Sequence, residues 1–261
     1  MDLNLSGKTA LVIASSQGLG FAIAKALVKE GTNVMISGRD VEKLKKKAAE
    51  LEVLGLGKVA FQKTDITKTE DIKQLVSKTI ETFGTLQLLV NNAGGPPAGT
   101  FEELTDDEWQ NAFELNLLSY VRIIREALPH LKRQGGKILN IASSSIKEPI
   151  PGLILSNTFR TGIVGLSKTL AAELAEYNIL INTIAPGRIA TDRVRHLDQI
   201  RADKLGVDLN TVELSMKATI PLKRYGTPEE FANVAAFLLS DANTYMTGSS
   251  FLVDGGMIRA I

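Results

Sequence analysis

Cysteine is absent from this chain of 261 residues. Disulfides, cysteine-ligated zinc, iron–sulfur clusters and thiolate catalysis are therefore excluded. The chain has only two histidines, His130 and His196, and they lie far apart in the sequence. Because imidazole and thiolate are the usual ligands of transition metals in proteins, we expect no metal site.

Long apolar runs and an excess of charge of either sign are also missing. No segment approaches the roughly 20 consecutive apolar residues that span a bilayer, and residues 1–5 lack the basic start and apolar stretch of a secretory signal. Lys and Arg number 30 against 29 Asp and Glu, which gives a net charge of +1. This balance argues against a nucleic acid or an anionic membrane as partner. We therefore expect a cytoplasmic protein with neither partner.

Short apolar runs alternate with amphipathic segments along the chain. A continuous apolar run at 9–14 predicts a strand buried on both faces, and apolar residues between 19 and 27 recur at helical spacing. The same signals predict strands at 33–37, 59–62, 86–90, 137–142 and 179–184, and helices after Asp40, at 72–83, from about Thr105 and from about Thr158 to Tyr177. This alternation predicts one α/β domain over residues 1–261, with a doubly wound parallel sheet and helices on both faces.

One segment interrupts the alternation. Residues 189–219 are rich in charge, favour helix and are inserted between the sixth strand and the last helix. In doubly wound sheets, ligands bind beyond the carboxyl ends of the strands. We therefore predict that residues 189–219, which we call the lid segment, cover the site.

The first strand is followed by a glycine-containing turn that leads directly into a helix. Glycines at such a turn let backbone amides approach a pyrophosphate at the positive end of the helix, although they also permit tight packing with no ligand. The predicted phosphate loop consists of Ala14, Ser15, Ser16, Gln17, Gly18, Leu19 and Gly20.

The second strand ends in Gly38 and Arg39. Folds that select NAD often place a carboxylate here to bind the adenosine ribose, whereas a guanidinium suits the 2′-phosphate of NADP. The alternative is a surface arginine paired with Asp40. The sequence favours NADP(H) over NAD(H) as the cofactor.

With these residues the chain resembles the short-chain dehydrogenase/reductase family, and especially the branch that contains 3-oxoacyl-acyl-carrier-protein reductases, from Gly7 to Gly256. The resemblance implies a Rossmann fold, a homotetramer, a water held by Asn116 and an adenine contact at Asp65. It also implies coenzyme contacts at Ile66, Asn92, Ala93, Gly94, Pro186, Gly187, Ile189 and Thr191. Gly162, Gly165, Ala171 and Ala172 would permit the close helix approach of such a tetramer, but small residues also serve packing within one chain.

The chain departs from the family at its catalytic residues. The family pattern is a Ser, a Tyr thirteen residues later and a Lys four residues beyond, and counting from Ser143 gives Ser156 and Arg160 instead. No Tyr lies between Tyr120 and Tyr177, and Phe159 has the ring without the hydroxyl. A serine hydroxyl is too weak an acid to replace a phenol, but Ser156 could bind a substrate oxygen and Arg160 could bind ribose hydroxyls.

Three interpretations stay open. The chain is an active oxidoreductase with a relocated acid, a dinucleotide-binding protein that serves as a sensor or oligomer partner, or an enzyme whose substrate supplies its own proton. A relocated acid would be His196, in the lid segment, or Lys147 or Glu148, after Ser143, and each is equally explained as a surface residue.

Arginines cluster at the start of the lid segment. They suit a small-molecule substrate that is anionic or an acyl thioester, although an amphipathic helix with balancing surface pairs explains them equally well. The arginines are Arg188, Arg193, Arg195 and Arg201.

Overall fold

The computed structural model describes residues 2–260, and within them seven strands form one parallel sheet in the order β3-β2-β1-β4-β5-β6-β7. The predicted doubly wound α/β class is confirmed. The strands are β1 (Thr9–Val12), β2 (Asn33–Gly38), β3 (Val59–Lys63), β4 (Leu88–Asn91), β5 (Gly136–Ile141), β6 (Ile179–Pro186) and β7 (Ser250–Val253). The strand β7 lies beyond those that the sequence predicted.

Helices connect the strands and cover both faces of the sheet. The α-helices are α1 (Gly18–Lys29), α2 (Val41–Glu52), α3 (Thr69–Phe83), α4 (Asp106–Phe113), α5 (Ser119–Leu131), α6 (Ile154–Glu173), α7 (Asp192–Leu205), α8 (Leu209–Thr219) and α9 (Pro228–Leu239). A π-helical turn joins α4 to α5 at Glu114–Leu118, and 3₁₀ turns lie at Ser144–Ile146 and Ala175–Tyr177. Among residues 2–260, no helix combines the length and apolar composition that crossing a membrane requires.

The core consists of two apolar layers, one on each face of the sheet. Leu27 of α1 and Phe231 of α9 are buried in one layer, and Leu75 of α3, Ile123 of α5 and Ile163 of α6 are buried in the other. Each such side chain stabilises the fold by about 1.5–3 kcal/mol when it leaves water. The chain proceeds outward from β1 to β3 and then returns to place β4 on the other side of β1. The connections therefore diverge between β1 and β4 and leave a crevice at the carboxyl ends of these strands.

Several predicted boundaries differ from those in the structure, and two of the differences have a clear local cause. Strand β1 ends at Val12 rather than Ala14, because Ala14 adopts a left-handed backbone conformation with φ of 48°. Helix α6 begins at Ile154 rather than Thr158. The Asn157 side chain binds both the N–H (3.2 Å) and the carbonyl (3.0 Å) of Ile150, which ties the preceding loop to the first helical turn.

The long helix predicted from Thr105 is interrupted. Its start is confirmed, since Thr105 and Glu108 form a capping box at the beginning of α4. The π-helical turn at Glu114–Leu118 then separates α4 from α5. Such turns are frequent at functional sites, and this one contains Asn116.

The lid segment forms two capped helices. Thr191 accepts a hydrogen bond from the Val194 N–H (3.4 Å) at the start of α7, and Asp208 accepts one from the Thr211 N–H (2.9 Å) at the start of α8. Ala202 of α7 and Met216 of α8 are buried against each other in a small separate core. The helical character predicted for the segment is therefore present.

Candidate functional site

The predicted phosphate loop lies at the crevice between β1 and β4. Asn92, which follows β4, donates from Nδ2 to the Ala14 carbonyl (3.1 Å). A Cβ at Gly20 would lie 2.7 Å from the Ala14 carbonyl and 2.8 Å from Asn92 Nδ2, so only glycine fits there. The close packing holds the first N–H groups of α1 at the open end of the crevice, where they have no helical partners.

Ser15 has a different role from its neighbours in the loop. It is fully buried, and its hydroxyl donates to the Val12 carbonyl (2.6 Å) and accepts from the Ser37 N–H (3.0 Å). Its side chain therefore joins the ends of β1 and β2. Ser16, by contrast, faces the end of β2, since a Cβ at Gly38 would lie 3.1 Å from its Oγ.

Arg39 is exposed beside the phosphate loop and forms no ion pair within residues 2–260. Asp40, its suggested alternative partner, instead caps α2 by accepting from the Lys43 N–H (3.0 Å). The surface-pair interpretation is therefore not supported, and the Arg39 guanidinium is available to a ligand.

Asp65 and Ile66 follow β3 at the same edge of the sheet. The Asp65 carboxylate accepts from the N–H (3.1 Å) and the hydroxyl (2.8 Å) of Thr67, and Ile66 is buried. Burial alone would raise the pKa of Asp65, but these hydrogen bonds and, more weakly, the charges of Lys68 and Arg39 hold it below its ordinary value. Asp65 is therefore a hydrogen-bond acceptor at neutral pH.

Lys43 is a candidate site residue that the sequence alone did not reveal. Its ammonium group donates to the side-chain oxygen of Gln17 in the phosphate loop. The cap at Asp40 was the signal available, because it places Lys43 in the first turn of α2, directly after the end of β2.

The start of the lid segment closes the other side of the crevice. A Cβ added at Gly187 would lie only 2.5 Å from the Asp254 Cβ, so these two residues pack closely. Ile189 is buried. The Thr191 methyl group lies 3.9 Å from the Cβ position of Gly18. Residues 186–191 and the phosphate loop are thus brought together, and Ala93 and Gly94 lie beside Asn92 in the loop after β4.

Ser143 and Ser156 are positioned by two adjoining elements. Ser143 caps the 3₁₀ turn after β5 and accepts from the Ser145 N–H (3.2 Å). Ser156 lies in the first turn of α6 and is 8% exposed. Within residues 2–260 its hydroxyl has no protein hydrogen-bond partner.

Arg160 lies one turn further along α6 and is turned into the protein. It is 5% exposed, and its Nη1 donates to the Tyr120 hydroxyl (2.8 Å) and the Ile141 carbonyl (3.0 Å). Its Nη2 donates to the Ala93 carbonyl (3.2 Å). Three of the five guanidinium N–H groups are thus directed at neutral protein acceptors, and the Nε–H and one Nη2–H have no acceptor within residues 2–260. The ribose contact predicted for Arg160 is therefore limited to what these two N–H groups can reach.

Tyr120 is the partner of Arg160 that the sequence did not reveal. Its hydroxyl accepts from Arg160 and donates to the Ile141 carbonyl (2.8 Å). Burial raises the pKa of Tyr120 although the positive charge of Arg160 opposes it. A fully buried phenol of raised pKa that already donates to a carbonyl is a structural partner and does not replace the missing acid.

Asn116 in the π-helical turn is buried, and neither its Oδ1 nor its Nδ2 has a hydrogen-bond partner within residues 2–260. Burying an unpaired amide is costly, so these two atoms call for a bound water or ligand group. This fits the water-holding role implied by the resemblance.

Phe159 serves packing between helices. Its ring meets Trp109 at 5.8 Å and Phe113 at 6.0 Å between centroids, both on α4. These contacts are worth about 0.5–1.5 kcal/mol each beyond the area they bury. Phe159 therefore holds α6 against α4.

The three candidate acids are all exposed. Within residues 2–260, the side chains of His196, Lys147 and Glu148 form no hydrogen bond or ion pair, and nothing in the structure aims them at Ser156. Their participation as acids stays an untested prediction.

The four lid arginines have separate environments. Arg188 pairs with the buried Asp198, which also accepts from the Tyr225 hydroxyl (2.8 Å). Burial, together with the hydrogen bond to Asp198, raises the pKa of Tyr225 to about 12. Arg201 contacts the Met216 sulfur (3.5 Å). These two arginines are structural.

Of the other two arginines, only Arg193 is a candidate for ligand binding. Arg193 donates from Nη2 to the Pro96 carbonyl (2.8 Å) in the loop after β4. Arg195 is exposed and makes no side-chain hydrogen bond within the described residues. The predicted cluster is therefore reduced to one arginine that reaches the crevice.

Comparison with known proteins gives similarity over the whole chain. A family model described as enoyl-(acyl carrier protein) reductase matches residues 13–258. The uncharacterized oxidoreductase YvrD of Bacillus subtilis (strain 168) is 35% identical over 266 residues, 100% of both chains. The 3-oxoacyl-[acyl-carrier-protein] reductase FabG of Chlamydia muridarum is 35% identical over 259 residues, 98% of this chain and 100% of FabG.

Solved structures agree with the sequence comparison. The crystal structure of L-sorbose reductase from Gluconobacter frateurii, complexed with NADPH and L-sorbose, superposes with a TM-score of 0.95. It is 34% identical and covers 100% of both chains. The similarity thus includes the complete sheet and the lid segment.

Proposed function

The chain belongs to the short-chain dehydrogenase/reductase family of oxidoreductases, and we propose that it transfers hydride between NADP(H) and a carbonyl or alcohol substrate through an atypical active site. In that site Ser156 and Arg160 occupy the positions of the family's Tyr and Lys. The proposal is carried by the part of the crevice that would hold the nucleotide. There the phosphate loop is packed on Asn92, and Arg39 is unpaired beside it.

The residues present fit a dinucleotide coenzyme. The first N–H groups of α1, from Gly18 to Gly20, lie at the crevice without helical partners and suit a diphosphate. Asp65 and Ile66 would contact the adenine, and residues 92–94 the riboses. Pro186, Gly187, Ile189 and Thr191 would contact the nicotinamide. When bound, the coenzyme supplies or accepts the hydride.

A preference for NADP(H) is supported by three observations at the end of β2. Arg39 has no carboxylate partner, and Lys43 places a second cation on the loop through Gln17. Gly38 lies against Ser16, where even a Cβ would come within 3.1 Å of the hydroxyl. A carboxylate that selects NAD would therefore be crowded here, whereas two cations suit a 2′-phosphate.

Ser143 and Ser156 would hold the substrate oxygen by hydrogen bonds. Asn116 would hold a water in the same site. Through that water the Ser156 hydroxyl, as it gives its proton to the substrate, would take a replacement proton from bulk solvent. Arg160 keeps a permanent positive charge one helical turn away. Because general acid catalysis contributes roughly 10²–10⁴ in rate, we expect slow turnover compared with a relative that has the Tyr.

The homotetramer implied by the resemblance remains part of this proposal. Gly162 packs on Leu117, and Ala171 is buried within the chain, so these two serve internal packing. Gly165 has no neighbour within 4 Å of its Cβ position and Ala172 is exposed, so the close helix approach would involve this pair. A cytoplasmic location is likewise proposed.

The test is coenzyme consumption against a panel of ketones, sugars and acyl thioesters. We expect turnover with NADPH for some of the panel and a lower kcat/KM with NADH. The variant Arg39→Leu should lower kcat/KM for NADPH by about 10- to 100-fold, since hydrogen bonds to charged groups are worth about 1.5–3 kcal/mol, and leave that for NADH nearly unchanged. Coenzyme binding without consumption by any substrate would instead favour a sensor.

A further inference from the structure

Two guanidinium groups bind carbonyls that lie three residues apart in the loop after β4. Arg160 donates to the Ala93 carbonyl (3.2 Å), and Arg193 of the lid segment donates to the Pro96 carbonyl (2.8 Å). The Arg193 guanidinium lies flat on Gly95, since a Cβ added at Gly95 would be 2.9 Å from the Nη2 of Arg193 and 3.0 Å from its Nε. The two positive charges therefore lie on the same loop, which borders the crevice, and the charge of Arg160 lies deeper than that of Arg193.

Neither charge is balanced by the protein. Within residues 2–260 no carboxylate pairs with Arg160 or Arg193, whereas Arg188 and Arg122 both have carboxylate partners. Arg160 is nearly buried and meets only neutral oxygen atoms, an arrangement that is costly for a charge. Burial and then the charge of Arg160 lower the pKa of Arg193, so the positive charge of Arg193 is disfavoured at this position.

The position of Arg193 in α7 adds to this imbalance. It lies in the first turn of the helix, directly after Thr191 at the N-cap and Asp192. The helix dipole makes this end positive, so a cation here is disfavoured by about 0.3–1 kcal/mol. An anion in the crevice would be attracted to both guanidinium groups and to the N-terminus of α7.

We propose that Arg193 and Arg160 bind the carboxylate or phosphate of an oxo substrate. The inference rests on the proposed function. Because Arg160 is one helical turn from Ser156, about 5.4 Å along the axis, the anionic group would be close to the reacting carbonyl. The substrate class that fits is an α- or β-oxo acid, or a ketone phosphate of similar length.

The first experiment compares oxo acids with their neutral methyl esters as substrates. We expect the wild type to favour the acids in kcat/KM, and Arg193→Met to reduce the acid-to-ester ratio by about 10- to 100-fold. Gly95→Ala, which displaces the guanidinium without removing its charge, should reduce the ratio in the same direction. Arg195→Met is the matched control, since Arg195 is exposed on the same helix, and it should leave the ratio unchanged. An unchanged ratio in Arg193→Met overturns the proposal.

A binding measurement separates this proposal from the proposed function. Calorimetry would follow acetoacetate and inorganic phosphate binding to the wild type and to Arg193→Met, with and without NADP⁺. Weaker anion binding to the variant in the NADP⁺-saturated protein supports the proposal even when no turnover occurs. Loss of NADP⁺ affinity alone, with anion binding unchanged, would assign Arg193 to the coenzyme diphosphate and overturn it.

Discussion

Restoring a phenol at position 156 should turn a slow reductase into a faster one. In Ser156→Tyr the new hydroxyl would stand at the mouth of the crevice, one turn from the buried charge of Arg160. That charge should lower the pKa of the phenol from its ordinary value of about 10. A general acid is worth roughly 10²–10⁴ in rate, which is about 2.7–5.4 kcal/mol of activation free energy.

Arg160 should be kept in this experiment. Its guanidinium makes three hydrogen bonds, to the Tyr120 hydroxyl and to the Ile141 and Ala93 carbonyls. A lysine ammonium could not make all three in that geometry. Arg160→Lys would lose at least one charged hydrogen bond, worth about 1.5–3 kcal/mol, and would confuse lost stability with changed chemistry.

The assay is single-turnover oxidation of NADPH with a ketone that the wild type reduces. Ser156→Phe is the control, because it adds the ring without the hydroxyl. We expect Ser156→Tyr to exceed both wild type and control by 10²–10⁴, and its rate to fall as pH rises through the pKa of the new phenol. Equal rates in Ser156→Tyr and Ser156→Phe would refute the reasoning.

Three further predictions concern stability. Ala14→Gly relieves a left-handed alanine with φ of 48° and should stabilise the fold by about 0.5–1 kcal/mol, read as a higher Tm. Asp198→Asn removes the carboxylate that Arg188 and Tyr225 share and should cost about 3 kcal/mol, measured by urea unfolding. The Tyr225 pKa of about 12 lies above its unfolded value. The contribution of Tyr225 to the free energy of unfolding is therefore complete below pH of about 10 and is lost as pH rises through about 12. In thermal melts across this pH range, Tyr225→Phe should not show this loss of stability.

Local signals predicted most of the architecture. Apolar runs in short segments and apolar residues at helical spacing located six of the strands, because burial on both faces of a parallel sheet leaves that pattern. The caps at Asp40 and Thr105 were readable because an N-cap side chain bonds to a backbone N–H only three residues away.

Features decided by tertiary contacts were not readable. Ala14 adopts a conformation that an alanine avoids, and only packing against Asn92 and the ends of the strands imposes it. The inward orientation of the Arg160 side chain depends on Tyr120, which lies 40 residues away in the sequence. No short-range pattern reports such a contact. The ribose contact of Arg160 stays a prediction.

The candidate site likewise has one part that local signals predicted and one part that they did not. Its nucleotide end followed from glycines and charges placed next to predicted strands, and the unpaired state of Arg39 agrees with that interpretation. The catalytic end required counting residues against a family pattern, which showed that the phenol was missing but could not show what replaces it. Asn116 was already implied by the resemblance, but only the packing around it shows that its buried amide has no hydrogen-bond partner within residues 2–260.

The proposed function requires that this crevice hold a nicotinamide coenzyme with a 2′-phosphate even though the catalytic phenol is gone. This can be measured by fluorescence titration of the wild-type protein with NADPH and with NADH. We expect saturable binding of both coenzymes, with NADPH bound more tightly by at least tenfold. Tighter binding of NADH, or no binding of either, would contradict the proposed function.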